Sequence, residues 1–232
     1  MKTVACIQSS YLPWRGYFDI IRRSDAFVFH DDIQYTKQDW RNRNRVKTSR
    51  GLIWLSVPVM KATTHGTIDE VAIDNTQDWG GAHWRRIKAN YRSAPFFADY
   101  SDFFESTFST RWTHLSRLNI FLTTRICEML GIKTELLLSR SLGLAGAKTD
   151  RLVDLCRKLG ATHYLSGPSA SSYLETDKLS AQGIKTSYIQ HSYLAYPQQF
   201  GSFIEGASIV DVLFNCGPES AKSAFGGSST SE

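Results

Sequence analysis

Val4 to Gln8 is a short apolar run that ends in polar residues, and Ala26 to His30 is a second run of the same kind. Between them lie a turn containing Pro13 and Gly16 and a helix-like stretch from Gly16 to Arg23. Strand, helix and strand within about thirty residues predict a right-handed parallel crossover, since parallel neighbours need a long connection and it takes one hand. Such units place ligands at the carboxyl ends of their strands, here Gln8-Ser9-Ser10 and His30-Asp31-Asp32.

From Trp40 the pattern changes to alternation. Arg41 to Lys47 and Leu52 to Val59 read as the two arms of a β-hairpin around Thr48-Ser49-Arg50-Gly51. A two-residue period sets Arg41, Arg43 and Arg45 on one face and Asn42 and Asn44 on the other. Helical spacing follows in Trp79 to Arg92, Pro95 to Phe108 and Thr113 to Leu130; the last carries Leu115, Leu118, Leu122, Ile126 and Met129 and stops at Gly131. Strand and helix then alternate again: Thr134 to Leu138, a helix from Asp150 to Leu159, Thr162 to Leu165, a short helix near Asp177 to Gln182, Ile184 to Gln190, and a last helix at Ser208 to Asn215. The expected fold is α/β, a Rossmann-like parallel sheet with a β-hairpin at about 40–60 and a helical insertion at about 79–131. Residues 1–224 read as one domain and the Gly/Ser-rich 225–232 as a disordered tail.

The 232 residues are 42% hydrophobic and 21% charged, which suits a chain with a core and excludes disordered and fibrous classes. Aromatic residues at 12% point to aromatic-lined pockets. The net charge of +5 is local: Lys37, Arg41, Arg43, Arg45, Lys47 and Arg50 face only Asp39 between positions 36 and 50, and the remainder is neutral. That implies an anionic ligand near the hairpin and argues against nucleic acid. The four cysteines are dispersed without a CxxC pair, so buried thiols are expected and neither a zinc nor a redox site. No apolar run has the length of a membrane span or a signal peptide, and a cytoplasmic location is expected.

Several clusters carry candidate chemistry. Gln8, Ser10, Tyr11, Trp14 and Tyr17 surround a strand-to-helix turn whose amides suit a phosphate or carboxylate; the plain alternative is that Pro13 and Gly16 only make the turn. The turn Pro13-Trp14-Arg15-Gly16-Tyr17 resembles that of the nucleotidylyltransferases, in which Pro, His, any residue, Gly and His open the helix. Trp14 and Tyr17 replace the imidazoles, so the resemblance implies a nucleotide-shaped pocket without that family's phosphate activation. Asp31 and Asp32, beside Gln34, Tyr35 and Lys37, are costly at a strand end unless they meet cations or donors, and Lys37 and the arginines are at hand. Adjacent side chains on extended backbone diverge, so no metal site is expected at His30, Asp31 and Asp32; one of the acids serves better as a base toward an amine or as an ammonium grip. Trp40, Arg41, Asn42, Arg43 and Asn44 offer guanidinium forks for phosphate and carboxamides for sugar hydroxyls, or else a charged edge that prevents aggregation. Lys148 at a helix start, Ser166 and Gly167 in a small-residue loop, Gln198, and the pair Asp211 and Asn215 one helical turn apart complete the set, the last pair being also a common structural pattern.

The runs Ile7-Gln8-Ser9-Ser10-Tyr11-Leu12-Pro13-Trp14-Arg15-Gly16-Tyr17-Phe18, Asp31-Asp32-Ile33-Gln34-Tyr35, Trp40-Arg41-Asn42-Arg43-Asn44 and Trp54-Leu55-Ser56-Val57-Pro58-Val59 resemble the WbqC-like family, as do Tyr164-Leu165-Ser166-Gly167, Tyr196-Pro197-Gln198 and Ser208-Ile209-Val210-Asp211. Ser9 stands where the usual run has Pro. The resemblance implies a role in bacterial surface polysaccharide, especially O-antigen and lipopolysaccharide, biosynthesis, and glycyl or other aminoacyl transfer onto an amino sugar. The expectation is an amide-forming transferase or ligase acting on a nucleotide-linked amino sugar. Arg41, Arg43 and Lys148 would hold phosphate, Trp14 or Tyr17 would stack, and Asp31 or Asp32 would deprotonate the amine. The alternative is a non-catalytic nucleotide-sugar module that scaffolds a biosynthetic complex, since no nucleophile with a base partner is visible. The cofactor, the acyl donor and the use of ATP stay open, as does the oligomeric state, a homo-oligomer included.

Overall fold

The computed structural model describes residues 1–225 and 229–231. In chain order the elements are β1 (Thr3–Ile7), α1 (Arg15–Arg22), β2 (Ala26–Phe29), the hairpin strands β3 (Arg43–Thr48) and β4 (Gly51–Ser56), then α2 (Trp79–Tyr91), α3 (Phe97–Ser109) and α4 (Leu115–Met129). There follow β5 (Glu135–Leu138), α5 (Ser139–Leu142), α6 (Lys148–Leu159), β6 (His163–Ser166), α7 (Thr176–Ser180), β7 (Lys185–Gln190), α8 (Ile209–Ala224) and β8 (Ser229–Ser231).

Six strands form one sheet in the order β5-β2-β1-β6-β7-β8. All neighbours are parallel except β8, which runs antiparallel to β7. Chain order therefore runs outward from β1 through β2 to β5, then restarts beside β1 with β6 and β7, which is the Rossmann order with its reversal between β1 and β6. Only Thr3 and Val4 of β1 pair with β6, at His163 and Tyr164, whereas β1 and β2 stay in register from Val4↔Ala26 to Ile7↔Phe29. The central strands thus part toward their carboxyl ends.

Alternation along β1 and β2 feeds two cores. Ala5, Phe27 and Phe29 face the larger one, under α1, α8 and the helical insertion; Val4, Cys6, Ala26 and Val28 face the smaller one, under α6 with its Leu155 and Cys156. Burial on both faces is why these strands read as unbroken apolar runs. The insertion is gathered around Phe214 of α8, whose ring lies 5.1 to 5.4 Å from those of Tyr91, Phe97 and Phe104. Gly80 of α2 meets α3 so closely that a Cβ there would stand 2.2 Å from the carbonyl oxygen of Phe108.

Two expectations change. Of the tail, Phe225 is buried and Ser229–Ser231 pairs with β7, while 226–228 and 232 lie outside the described residues. The last helix runs to Ala224 rather than ending at Asn215, with a break at Gly217 (φ 65°). All four cysteines are free and buried. No described helix is long and apolar enough to cross a membrane.

Tyr11 and His83 fix the β1–α1 turn to α2, with 2.7 Å between the phenol oxygen and Nδ1. Burial, then the charge of Arg86, pushes the His83 pKa down from 6.5 to about 4, and a hydrogen bond with the Ser56 backbone pulls the other way. The unfolded chain takes up that proton near 6.5 and the folded chain does not. Stability is therefore full above 6.5 and falls as the pH drops toward about 4, by up to about 3 kcal/mol. Urea unfolding at pH 7 and at about pH 4.5 checks this; a His83→Phe chain, weaker at pH 7 without the partner of Tyr11, is expected to lose less between the two.

Candidate functional site

Where β1 and β6 part, a cleft of about 1060 Å³ opens at the carboxyl ends of the strands. Gln8, Ser10, Trp14 and Tyr17 line it from the β1–α1 turn; Trp40, Arg41, Asn44 and Arg45 come from the hairpin side; Lys148, Ser166 and Gly167 face them from α6 and the loop after β6. Neither α1 nor α6 has a side-chain N-cap, and both begin at the cleft. Their first amide groups thus lend it positive potential. Lys148 takes a left-handed φ of 50°, a conformation costing roughly 1–2 kcal/mol for a non-glycine residue.

The hairpin is tied to the β1 turn by three contacts: Tyr11 N donates to Trp40 O at 3.0 Å, Asn44 Nδ2 to Leu12 O at 2.8 Å, and Arg41 Nη1 to Gln8 Oε1 at 2.9 Å. The expected stack of three arginines is split. Arg41 precedes β3, lies in a turn and points inward, because Asn119 of α4 holds its carbonyl at 2.8 Å. Arg43 and Arg45 stay on the strand face, their guanidinium carbons 4.5 and 5.4 Å from the ring centre of Trp54. Trp40 and Trp54, each about two-fifths exposed, lie 5.6 Å apart at the lip. Arg41 is only 8% exposed, and its Nε has no hydrogen-bond partner among the described residues.

The two acids have other occupations than the cations of the hairpin. Asp31 accepts from Ser9 N at 2.7 Å and from Ser116 Oγ of α4, and it lies outside the lining residues. Burial raises its pKa, while the hydrogen bonds from Ser116 and Ser9 and the charge of Arg41 pull it back. Asp32 pairs with Arg151 of α6 and accepts from Ser139, so it meets a cation that sequence spacing did not nominate. Gln34 bonds the carbonyl of Gly66, Asn42 that of Val57, and Arg43 that of Gln38; these, with Tyr11, Tyr35 and Lys37, also lie off the cleft. The lining residues that sequence reasoning missed are Glu175, Tyr173 and His191, and His30, considered there only as a metal ligand, lines the cleft as well. Glu175 follows β6, where the strand-end rule points.

A family model described as the WbqC-like protein family matches residues 8–223. The chain belongs to the WbqC-like protein family. The uncharacterized protein Rv1507c of Mycobacterium tuberculosis is 47% identical over 222 residues, covering 94% of this chain and 96% of that protein. No solved structure matches the chain.

In this WbqC-like chain Gln198, Asp211 and Asn215 form part of a buried lock and do not line the cleft. Asp211, fully buried, accepts from Tyr91 OH (2.8 Å), Tyr196 OH (2.6 Å) and Gln198 Nε2 (2.7 Å), and Asn215 donates to its backbone carbonyl. Lys47 of β3, also fully buried, donates to Gln198 Oε1 at 3.0 Å and to the Ser202 carbonyl. The hairpin, α2, α8 and the segment after β7 are thereby joined by one network. Removing its only carboxylate leaves a buried ammonium and two phenols poorly satisfied, so Asp211→Ala is expected to lower stability by about 3–5 kcal/mol in chemical denaturation. A substrate-binding role alone would leave the unfolding midpoint nearly unchanged.

Proposed function

We propose that this protein binds a nucleotide-linked amino sugar in the cleft between β1 and β6 and forms an amide on its amino group, as an acyl or aminoacyl transferase or ligase of bacterial surface polysaccharide biosynthesis. The observation that carries the binding step is Arg41: a guanidinium withdrawn from water, lining the cleft, with one N–H unsatisfied among the described residues. A buried donor left unpaired costs roughly 1–3 kcal/mol, and an anionic oxygen is its strongest available partner. The diphosphate would lie between Arg41, the start of α1 and Lys148, and the sugar would extend toward β6. Glu175, the one carboxylate among the described lining residues, pairs with Lys178 at 3.4 Å, and in this reading it would take the ammonium of the sugar in that partner's place. The transfer step and the polysaccharide setting rest on the family resemblance.

A second reading, a non-catalytic nucleotide-sugar module, is favoured by the engagement of both Asp31 and Asp32 with protein partners. Cys6, the thiol that lines the cleft, is buried, which raises its pKa and keeps it an unreactive thiol.

Titration calorimetry with dTDP-linked amino sugars tests the binding. Arg41→Met is expected to weaken it by about tenfold to a hundredfold, the value of a charge-assisted hydrogen bond, whereas Arg43→Met, off the lining, is expected to change it by less than about threefold. Equal effects of the two variants, or no binding by the unaltered chain, refute the reading. Mass spectrometry after incubation with the sugar, ATP and amino acids then separates transferase from module: a gain of one acyl group selects the first, tight binding with no gain the second.

A further inference from the structure

At the carboxyl end of β2 His30 lines the cleft, its backbone N–H bonded to the Ile7 carbonyl at 3.0 Å. Its Nε2 receives the Nε–H of Arg151 at 3.1 Å. Arginine has five N–H donors and no acceptor, so Nε2 supplies the lone pair and the ring proton of the neutral imidazole sits on Nδ1. Arg151 is itself fixed: Nη1 donates to the Leu144 carbonyl at 2.9 Å and Nη2 pairs with Asp32, whose other oxygen accepts from Ser139. Nδ1 has no hydrogen-bond partner among the described residues.

We propose that Asp32 and Arg151 lock His30 as a neutral imidazole with its proton on Nδ1, presented to the cleft as a hydrogen-bond donor for an uncharged oxygen of the ligand, a carbonyl or a hydroxyl. Asp32 and Arg151 are positioning residues and do not touch the ligand. The lone pair that a general base would use is already occupied, and a second proton would set an imidazolium against a guanidinium. Burial and the charge of Arg151 lower the His30 pKa from 6.5, against the opposite pull of Asp32. The β2 end of the cleft therefore selects an oxygen acceptor, not the ammonium that adjacent aspartates suggest. The lock stands on the free protein, and the identity of its acceptor rests on the nucleotide-sugar reading above.

The test is a long-range proton–nitrogen spectrum of the full chain with nitrogen-labelled histidine rings, His30 being assigned by its loss in His30→Gln. The expected result is the Nδ1–H tautomer, unprotonated as the pH falls through 6.5, the ordinary histidine value. Arg151→Met is expected to release a mixture of tautomers and to let the ring protonate at a higher pH than in the unaltered chain, because the guanidinium charge is gone and Asp32 remains. The Nε2–H tautomer, protonation of the unaltered chain at 6.5, or an unchanged spectrum in Arg151→Met would overturn the lock. With a dTDP-linked amino sugar as probe, the Nδ1–H resonance is expected to shift. His30→Asn, whose amide reproduces the Nδ1 position, should keep affinity within about threefold, and His30→Gln should lose about tenfold. Binding with a motionless Nδ1–H and equal variants would overturn the donor role. Absence of binding would overturn the nucleotide-sugar reading and the acceptor assigned from it, while the tautomer spectrum decides the lock.

Discussion

Everything at the cleft follows from the parting of β1 and β6 after two paired residues. In a doubly wound sheet, the connections that leave the two strands at the reversal run in opposite directions, from β1 through α1 to β2 and from β6 through α7 to β7, so nothing fills the space above it. Two strand ends and two helix starts without side-chain caps then face a common volume, and the positive ends of the helix dipoles favour an anion there before any side chain is considered. The hairpin closes the third side, because Asn44 and Arg41 bond the β1 turn rather than water.

A polar hairpin packed against α2 and α8 must satisfy its buried groups, and this chain does so with long-range partners. Lys47 reaches Gln198 and, through it, Asp211; Asn44 reaches Leu12; the Arg41 carbonyl reaches Asn119. Such networks are costly when incomplete, which makes them good at fixing one arrangement of hairpin, insertion and sheet. The cleft inherits its shape from that rigidity. Trp14 offers a local case: a Cβ on Gly16 would stand 2.4 Å from its ring, so the indole at the mouth of the cleft is seated by the absence of a side chain two residues on.

The hairpin and three-helix insertion were legible because each has its own period, two for the hairpin strands and 3.6 for the helices, and the parallel strands because burial on both faces makes them short unbroken apolar runs. The place of the turn after β1 at the mouth of a cleft was legible from topology, which sets it at a strand end. What local sequence does not carry is the partner of a buried charge. Asp31 and Asp32 stand next to each other in the sequence, yet one faces Ser9 and Ser116 and the other Arg151, more than a hundred positions away. Gln198, Asp211 and Asn215 carry the chemistry of a binding site and serve as a lock for the same reason. Arg41 departed from the strand pattern because a tertiary hydrogen bond to Asn119 outweighed alternation.

Charge read along the chain is likewise a poor measure of charge at the site. Six cations between positions 36 and 50 suggest a strongly basic patch. Lys47 is buried in the lock, Arg43 covers Trp54 and caps Gln38, and only Arg41 and Arg45 of the six line the cleft. With Lys148 and against Glu175, the described lining carries three cations and one carboxylate. That excess of positive charge favours an anionic ligand in the cleft. A polyanion such as nucleic acid would need the cations spread along an open face, where counterion release drives binding. Here they converge inside a concave site with low-dielectric walls, which strengthens each interaction for a small ligand and leaves the long-range field weak.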